Sequence, residues 1–461
     1  MRIAGWEGAE RRETRFSTVL LGRDRVLKRR KPVVFGSLNF TRLQDREASC
    51  RGEAQRNRRT APGVTLGVRR ITASSDGLQV DGPGPVVDYA VEMRRLPDAR
   101  QLLSLQQSGA LTVHGIDRVA HWLARFHGSA PRRDRYGSTA AVRRLVEESL
   151  RETPGLDVLF GPAGVQAVRE HQCGLIDRAQ ERLASGRVCD GHGGLRADHV
   201  YLLGRLDDPE VIAIDGVQLS TRYRCADVAS DVALLAVDLT VCGAPGLSER
   251  LVARWVAETA DWGAYDVVDR YMGARALGRA RVRALLGETE ASQVRLRLAH
   301  ALAVAQRQGA LVAVCGPIAS GKSTLVERLA TRRSLPVVSA GVAPEVCETL
   351  LMAAQPALRS GRTVLIDASF RSEAQRQLAR AAAASAGVPC RFVCCTAPAA
   401  ELAARLARRT GGVSDAGRLL EDFLRSYTAP TGDDVFTVDT SRVVDLAAID
   451  AFVCGLAPTL P

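Results

Sequence analysis

The chain has 461 residues, of which 46% are hydrophobic and 25% charged, a composition typical of a globular protein with two or three domains. It contains no run of 18 or more apolar residues and no N-terminal leader pattern, so we expect a cytoplasmic protein that does not engage a membrane. The formal net charge is +12. Because the basic residues are scattered along helical faces, without a basic run interleaved with aromatics, a solvated surface is favoured over nucleic-acid binding.

The cysteines and lysines are more informative than the overall composition and net charge. The eleven cysteines form no C-x-x-C pair and no Cys/His cluster with zinc spacing, which predicts buried, reduced thiols. Three lysines, Lys28, Lys31 and Lys322, stand against sixty arginines. A chain with this bias retains lysine where a compact charge with rotatable donors is needed. For the neighbours Lys28 and Lys31, chance is the alternative explanation.

The first hundred residues alternate short strand-like segments with one charged helix. The apolar patterns predict strands at 16–21, 25–28 and 86–93. A charged stretch at 39–59 has helical character. This segment is therefore expected to form a small sheet around one helix.

Helices dominate the next segment, from about residue 102 to 286. An apolar hairpin-like piece, at 199–203 and 211–214, interrupts them and is flanked by polar turns. One helix of this segment shows a clear apolar face. The residues that recur at helical spacing there are Ile116, Val119, Ala120, Leu123 and Phe126.

A new pattern begins after a long helix at about 292–308. Apolar strands alternate with helices, which predicts a parallel sheet with right-handed crossovers. We place the domain boundary near residue 305, which gives two domains, 1–305 and 306–461. The predicted strands of the second domain lie at 311–315, 336–339, 363–366 and 391–395.

Residues 316–323, G-P-I-A-S-G-K-S, match the phosphate-binding pattern G-x-x-x-x-G-K-[ST] between an apolar strand and a helix. In such a loop the backbone N–H groups surround the β-phosphate, and the helix N-terminus adds partial positive charge. The lysine then bridges the β- and γ-phosphates, and the following serine binds magnesium. We therefore expect binding of ATP and Mg²⁺. The candidate nucleotide-binding residues are Gly316, Ala319, Ser320, Gly321, Lys322, Ser323 and Thr324.

Two further elements of the second domain carry candidate residues. Residues 363–367 form an apolar strand that ends in Asp367, the arrangement that supports a magnesium shell from a neighbouring strand; a helix N-cap is the alternative role. Arg405, Arg408 and Arg409 follow on one helix face. In small kinases such a lid brings guanidinium groups to the transferred phosphate, whereas solvated surface is the alternative. Lys322, Asp367, Arg405 and Arg409 are the candidate catalytic residues.

The second domain resembles P-loop small-molecule kinases of the gluconate kinase, polynucleotide kinase and zeta-toxin kind, over roughly residues 308–440. The phosphate loop, the strand end at 366–370 and the segment 405–416 carry this resemblance. Such kinases usually place an Asp, often followed by Arg, just after the second strand, where the acceptor hydroxyl is positioned. The sequence P-V-V-S-A-G at 336–341 has neither residue, so the resemblance supports ATP binding better than transfer to a particular acceptor. The nearby carboxylates that could substitute are Glu345 and Glu348.

Residues 190–200, D-G-H-G-G-L-R-A-D-H-V, followed by Asp215, resemble the catalytic and metal loops of the aminoglycoside phosphotransferase family, which shares the protein-kinase fold. The whole chain resembles the bacterial two-domain family that fuses such a domain to a C-terminal P-loop kinase or AAA-type ATP-binding domain. This implies an α/β and α+β fold class: a kinase-like bilobal domain, degenerate at its catalytic loop, plus a P-loop NTPase with a parallel sheet. The other segments that carry the resemblance are 13–14, 28–33, 40–43, 57–62, 93–97, 126–127 and 227–239.

The resemblance assigns chemistry to positions in the first domain. In that fold a loop Asp accepts the acceptor proton, a residue five positions on binds magnesium, and a second Asp completes the metal site. By spacing these positions are Gly194, His199 and Asp215. Glycine has no side chain to accept a proton, so the base is missing, and Arg196 and Gln218 stand where the family usually has His and Glu. His199 and Asp215 stay as candidate metal ligands.

Lys28 or Lys31 is expected to pair with phosphates in the first domain, with Glu53 as the carboxylate that orients the lysine. The sequence does not decide between the two lysines. Other polar residues near the loop are expected to be structural. They are Asp227, Asp231 and His127.

We predict an ATP-binding protein that acts as an ATP-dependent phosphotransferase on a small hydroxyl-bearing acceptor through residues 306–461. The first domain would then serve binding or regulation. The alternative is a nucleotide-binding regulatory protein, a pseudokinase in which both centres have eroded. A third possibility is transfer by the first domain with Asp198 as a rearranged base. The sequence identifies neither the acceptor nor the oligomeric state.

Overall fold

The computed structural model describes residues 3–14, 16–35, 38–75, 77–151, 155–217, 221–339, 347–410 and 413–454. The chain forms two compact units, and each is made of two separate stretches. Unit 1 comprises Met1–Val142 and Ala179–Cys242, and unit 2 comprises Arg143–Arg178 and Gly243–Pro461. The predicted boundary near residue 305 coincides with none of these divisions and stays a prediction.

Unit 1 begins with a twisted antiparallel sheet packed on one helix. The sheet order is β1-β2-β3-β8-β6-β7, and the predicted strands near 16–21, 25–28 and 86–93 lie within it. The strands β1, β6 and β7 were not predicted. The elements up to residue 128 are β1 (Glu10–Glu13), β2 (Ser17–Leu21), β3 (Arg25–Arg30), β4 (Val34–Phe35), β5 (Leu38–Asn39), α1 (Leu43–Thr60), β6 (Thr65–Ser74), β7 (Gly77–Val80), β8 (Val86–Arg94), α2 (Leu102–Gln107) and α3 (Val113–Gly128).

Two helices of unit 1 show how the local sequence sets their bounds. Helix α1 starts at Leu43 and not at the predicted residue 39, because Arg42 is extended and Asn39 accepts hydrogen bonds from Thr41 instead of entering the helix. Helix α3 starts after Thr112, whose side chain accepts from the Gly115 amide at 3.1 Å. The five apolar residues predicted to face the core of α3 are all buried.

The middle of the chain supplies the remaining elements of unit 1 and the first helices of unit 2. The predicted hairpin is present as β10 and β11, and a second antiparallel pair joins β9 to β12. Helix α5 is interrupted at Gly161, whose φ is 62°. The elements are α4 (Thr139–Arg151), α5 (Leu156–Ala184), β9 (Val188–Asp190), β10 (Val200–Leu203), β11 (Glu210–Ala213), α6 (Thr221–Arg224), β12 (Cys225–Asp227), α7 (Val228–Val241), α8 (Pro245–Thr259), α9 (Val268–Leu285) and α10 (Thr289–Val304).

The rest of unit 2 is a parallel α/β sheet in the order β14-β15-β13-β16-β17. Its central strand β13 is buried along its whole length, as expected for a parallel strand covered by helices on both faces. The predicted strands are confirmed, and β17 adds an edge that was not predicted. The elements are β13 (Leu311–Cys315), α11 (Lys322–Arg333), β14 (Val337–Ser339), α12 (Cys347–Arg359), β15 (Val364–Asp367), α13 (Glu373–Ser385), β16 (Cys390–Thr396), α14 (Ala399–Thr410), α15 (Val413–Arg425), β17 (Val435–Asp439) and α16 (Leu446–Cys454).

A buried ion-pair cluster joins the helices of unit 2 to its sheet. Arg362, just before β15, bonds to Glu249 on α8 and to Asp269 on α9, both at 2.8 Å. Arg307 reaches the same two carboxylates at 3.3 Å. The parallel sheet and the preceding helices thus share polar groups that have little access to water.

In the described part of the chain, no helix combines the length and the apolar character that crossing a bilayer requires.

Candidate functional site

The phosphate loop turns sharply between β13 and α11. Gly316, Ala319 and Gly321 have positive φ values of 130°, 60° and 88°. A Cβ atom on Gly316 would lie 2.2 Å from the carbonyl oxygen of Cys395 on β16, so only glycine fits there without displacing a strand. The loop is therefore wrapped tightly against the end of the sheet, with the helix N-terminus following at once.

Side chains in the loop are arranged for an anion. Lys322 Nζ donates to the carbonyls of Gly316 at 3.1 Å and Pro317 at 2.7 Å, which holds the ammonium group over the loop. The Ser320 hydroxyl is buried, and no described residue bonds to it. A buried hydroxyl inside a turn of this type fits a ligand oxygen. Ser323 and Thr324 are exposed in the first turn of α11.

Asp367 ends β15 at the same edge of the sheet. It is in register with Val314 of β13 on one side and with Ser339 of β14 on the other. It is not a helix cap, because α13 starts later and its N-cap is Ser372. Among the described residues, no three His, Cys, Asp or Glu side chains cluster as a metal cage would require. Ser323 and Asp367 stay candidate magnesium ligands, and phosphate oxygens and water would complete the shell.

Of the predicted lid arginines, Arg405 is tied to the phosphate loop. Its guanidinium donates to the hydroxyl of Thr440 at 3.0 Å and to the carbonyl at 2.9 Å. The same hydroxyl donates to the Ser320 carbonyl at 2.8 Å. Arg408 is largely exposed near Glu401, and the side chain of Arg409 lies outside the described residues.

An open cavity of about 390 Å³ lies between the loop, helix α14 and the segment after β17. Sequence reasoning missed Thr440, Arg442 and Arg328 in its wall. Thr440 follows β17, so prediction of that strand would have placed it at the same edge as Asp367. The lining residues are Ala319, Gly321, Thr324, Leu325, Arg328, Arg405, Arg408, Thr440, Arg442 and Val444.

Unit 1 has a second polar site, centred on Lys28. Its ammonium group pairs with Glu53 at 3.0 Å and with Asp215 at a shorter distance. Burial alone would lower the pKa of Lys28, but the charges of Asp215 and Glu53 raise it. Burial would likewise raise the pKa of Asp215, and the charge of Lys28 lowers it instead. Lys31 pairs with Glu13 and is not brought to this site.

The loop from 191 to 199 is held rigidly but has no carboxylate at its centre. Asp231 accepts from the amides of His192 and Gly193 at 2.7 Å each, which is the structural role predicted for it. His199 Nδ1 donates to the Gly194 carbonyl at 2.8 Å, and its Nε2 lies 3.9 Å from Asp215. Burial, and then the charge of Arg196, lower the pKa of His199 to about 4. The imidazole is therefore neutral near pH 7 and has a free lone pair.

The other residues predicted around this loop have structural partners. Asp227 forms a buried pair with Arg182 at 2.7 Å. His127 is buried beside Asp231, at 3.5 Å. Asp198 accepts from Arg196 at 2.7 Å. Gln218 lies outside the described residues.

Known proteins and protein families are similar to parts of this chain. A family model described as an AAA domain matches residues 339–430. The chain is 29% identical to an uncharacterized protein of Mycobacterium tuberculosis over 448 residues, which is 88% of this chain and 87% of that protein. A gluconokinase structure from Sinorhizobium meliloti aligns with 33% of this chain and 93% of its own, at 23% identity and a TM-score of 0.25. A choline/ethanolamine kinase family protein from Mesorhizobium loti aligns with 66% and 90%, at 15% identity and a TM-score of 0.41.

The predicted two-part organisation is confirmed, with the AAA-type match and the five-stranded parallel sheet in the C-terminal part of the chain. The matched segment contains Asp367 and Arg405. The predicted fold class is confirmed as well, because an antiparallel sheet with one packed helix and a helical part precede a parallel α/β sheet.

Proposed function

We propose that the P-loop domain transfers the γ-phosphoryl group of ATP to a hydroxyl group of a small molecule, with Mg²⁺. The observation that carries this proposal is the tight loop at 316–321, with the Lys322 ammonium over it and Asp367 on the adjacent strand at the same edge. In phosphoryl transfer, positioning and electrostatic stabilisation supply most of the rate enhancement. A site of this kind can therefore work without a strong general base.

Each part of the site has a role in this proposal. Backbone amides of the loop and the N-terminus of α11 hold the phosphates. Lys322 neutralises charge that builds up on the β–γ bridge as the P–O bond to ADP breaks, the acceptor oxygen bonds to phosphorus and the hydroxyl proton passes to solvent. Ser323 and Asp367 hold the magnesium ion, which neutralises phosphate charge. Arg405, with Arg409 as the second predicted arginine, would stabilise the transferred group from the lid.

Fewer residues can be assigned to acceptor binding than to ATP binding. Strand β14 ends at Ser339, and Ala340 and Gly341 follow in the sequence where the resembled kinases carry an Asp. Glu348 lies in the first turn of α12 and is exposed, and it is our candidate for orienting the acceptor hydroxyl. Glu345 lies outside the described residues.

One set of observations favours a second candidate function, nucleotide-dependent regulation without transfer. The rigid loop of unit 1 has Gly194 where its resembled family has the catalytic Asp, and β14 ends without a carboxylate. Both centres thus lack one expected acidic group. In this case ATP would bind and change the protein without being consumed.

The three lysines provide a matched set of variants to test the proposal. Lys322→Ala should lower ATP turnover by at least about 100-fold, the size expected when a preorganised charge is removed from a transition state. Lys31→Ala, which removes an ion pair with Glu13, should leave turnover unchanged. Lys28→Met removes the ammonium group of the polar site in unit 1 and should also leave ATP turnover unchanged. The measurements are calorimetric ATP titration and an ADP-release assay with sugars, aminoglycosides and nucleosides as acceptors.

The outcomes separate the two candidates. Binding of Mg-ATP without turnover across the whole acceptor panel would favour regulation. Turnover that survives in Lys322→Ala and is lost in Lys28→Met would assign catalysis to unit 1 and overturn the proposal. A wild-type protein with no affinity for Mg-ATP would contradict both functions.

A further inference from the structure

A cluster of arginines surrounds one carboxylate in unit 1, away from Lys28. Arg224 Nε donates to Asp190, and Arg133 Nη2 donates to the other carboxylate oxygen at 3.3 Å. Arg59 lies 3.7 Å from the same carboxylate and donates to the Asp190 carbonyl at 3.2 Å. None of the roles assigned above uses these residues.

The positive charge in this cluster exceeds what its carboxylate can balance. Asp190 carries one charge against three guanidinium groups, each of which has five donors in a fixed fork. Arg56 lies nearby, and its pKa is lowered by burial and next by the charge of Arg224. Like charges that remain this close create a local positive potential, which attracts an anion.

The arginines open onto a cavity of about 490 Å³, within the size range of small-molecule sites. Among the described residues that line it, arginines outnumber aspartates by three to two, and Arg59 adds a further charge behind Asp190. Arg133 is 44% exposed and Arg224 is 10% exposed, so one guanidinium is free to adjust while the other is fixed. The lining residues are Arg133, Asp134, Arg135, Tyr136, Asp190, Thr221 and Arg224.

The cavity is connected directly to the rigid loop. The amide of Gly191, which begins that loop, donates to the Arg224 carbonyl at 3.1 Å. Arg224 also precedes β12, which pairs with β9, and Asp190 ends β9. A ligand that contacts Arg224 would therefore touch the residue that anchors the loop carrying His192 and Gly194.

We propose that this cavity binds the phosphate group of a small phosphate monoester, held by Arg133 and Arg224. The forked guanidinium group matches two phosphate oxygens, and a dianion balances the excess charge that Asp190 leaves. The same charge disfavours an aminoglycoside, which is a polycation, although unit 1 resembles enzymes that phosphorylate such compounds. The proposed site is independent of the P-loop and of ATP turnover.

The test uses the full chain with Lys322→Ala, which removes the P-loop ammonium group and so weakens anion binding at that second site. Inorganic phosphate, glycerol 1-phosphate and malonate are titrated by calorimetry at constant ionic strength. Arg133→Gln removes one of the two proposed phosphate-binding guanidinium groups, at an exposed position. Arg205→Gln, in the exposed β10–β11 turn and paired only with Asp207 among the described residues, is the matched control.

We expect saturable binding of phosphate and of glycerol 1-phosphate. Arg133→Gln should weaken it at least about tenfold, which is the loss expected for a hydrogen bond to a charged group, and Arg205→Gln should leave it unchanged. Arg133→Glu should abolish it, and circular dichroism verifies that each variant is folded. No saturable phosphate binding, equal binding by Arg133→Gln, or malonate binding as tight as that of glycerol 1-phosphate would each overturn the proposal.

Discussion

At the scale of single residues, Glu53 is the carboxylate on which the polar site of unit 1 depends. It is buried on α1 and pairs with Lys28 at 3.0 Å and with Arg30 at 2.9 Å. Its loss would leave two buried cations with Asp215 as the remaining described carboxylate near Lys28. An uncompensated buried charge is strongly destabilising, because neither water nor a counter-ion replaces the lost partner.

We therefore expect Glu53→Gln to lower the free energy of unfolding of unit 1 by about 3–5 kcal/mol. Glu13→Gln, which breaks the more exposed pair with Lys31, should cost far less, because solvent screens that pair. Differential scanning calorimetry of the two variants provides the comparison. Similar small shifts of Tm in both would show that Glu53 is not the compensating charge.

The choice between Lys28 and Lys31 shows where sequence reasoning stops at this scale. The two residues are three positions apart, so an extended strand would place them on opposite faces. Alternation alone shows that at most one of them faces the site, but not which one. The decision depends on the pairing of β3 with β8 and on α1, which brings Glu53 to Lys28. These contacts join residues far apart in the sequence.

At the scale of elements, the phosphate loop depends on the approach of β16 to β13. The missing Cβ of Gly316 leaves room for the Cys395 carbonyl. Gly316→Ala should push the loop away from the sheet and weaken Mg-ATP binding by about tenfold or more, because the backbone amides that hold the phosphates would no longer converge. Gly278→Ala on α9, where a Cβ meets no atom within 4 Å, should instead stabilise by about 0.4–1 kcal/mol. Unchanged ATP affinity in Gly316→Ala would contradict the tight-loop account.

The strands of the parallel sheet were largely predictable, and the exception has a physical cause. Strands β13, β15 and β16 are apolar runs between helical segments, which is the pattern of buried parallel strands. Strand β17 lies at an edge and is mostly half-exposed, so its sequence, V-F-T-V-D, lacks a long apolar run. Because β17 was not predicted, the position of Thr440 was not predicted either. The hydrogen bonds through which Thr440 joins Arg405 to the phosphate loop were therefore missed.

At the scale of the whole molecule, the ion-pair cluster in unit 2 makes the parallel sheet and its helices mutually dependent. Arg362 is only 5% exposed and pairs with Glu249 and Asp269. Arg362→Gln leaves these two carboxylates with Arg307 as their remaining described partner in the cluster. It should lower the free energy of unfolding by about 3–5 kcal/mol. Arg359→Gln, which breaks the half-exposed pair with Asp266, should cost at most about 1 kcal/mol. Thermal unfolding of the full-length variants measures the difference, and equal costs would argue against a shared core.

The chain passes between the two units three times, after residues 142, 178 and 242. During synthesis on the ribosome, unit 1 is complete once residue 242 has emerged. The stretch from 143 to 178 must wait for the later residues that cover it. A nascent chain therefore carries a helical insert whose packing partners in unit 2 are not yet synthesised through much of translation. For the same reason, recombination at one point cannot exchange either unit intact, because each exchange requires three junctions, after residues 142, 178 and 242.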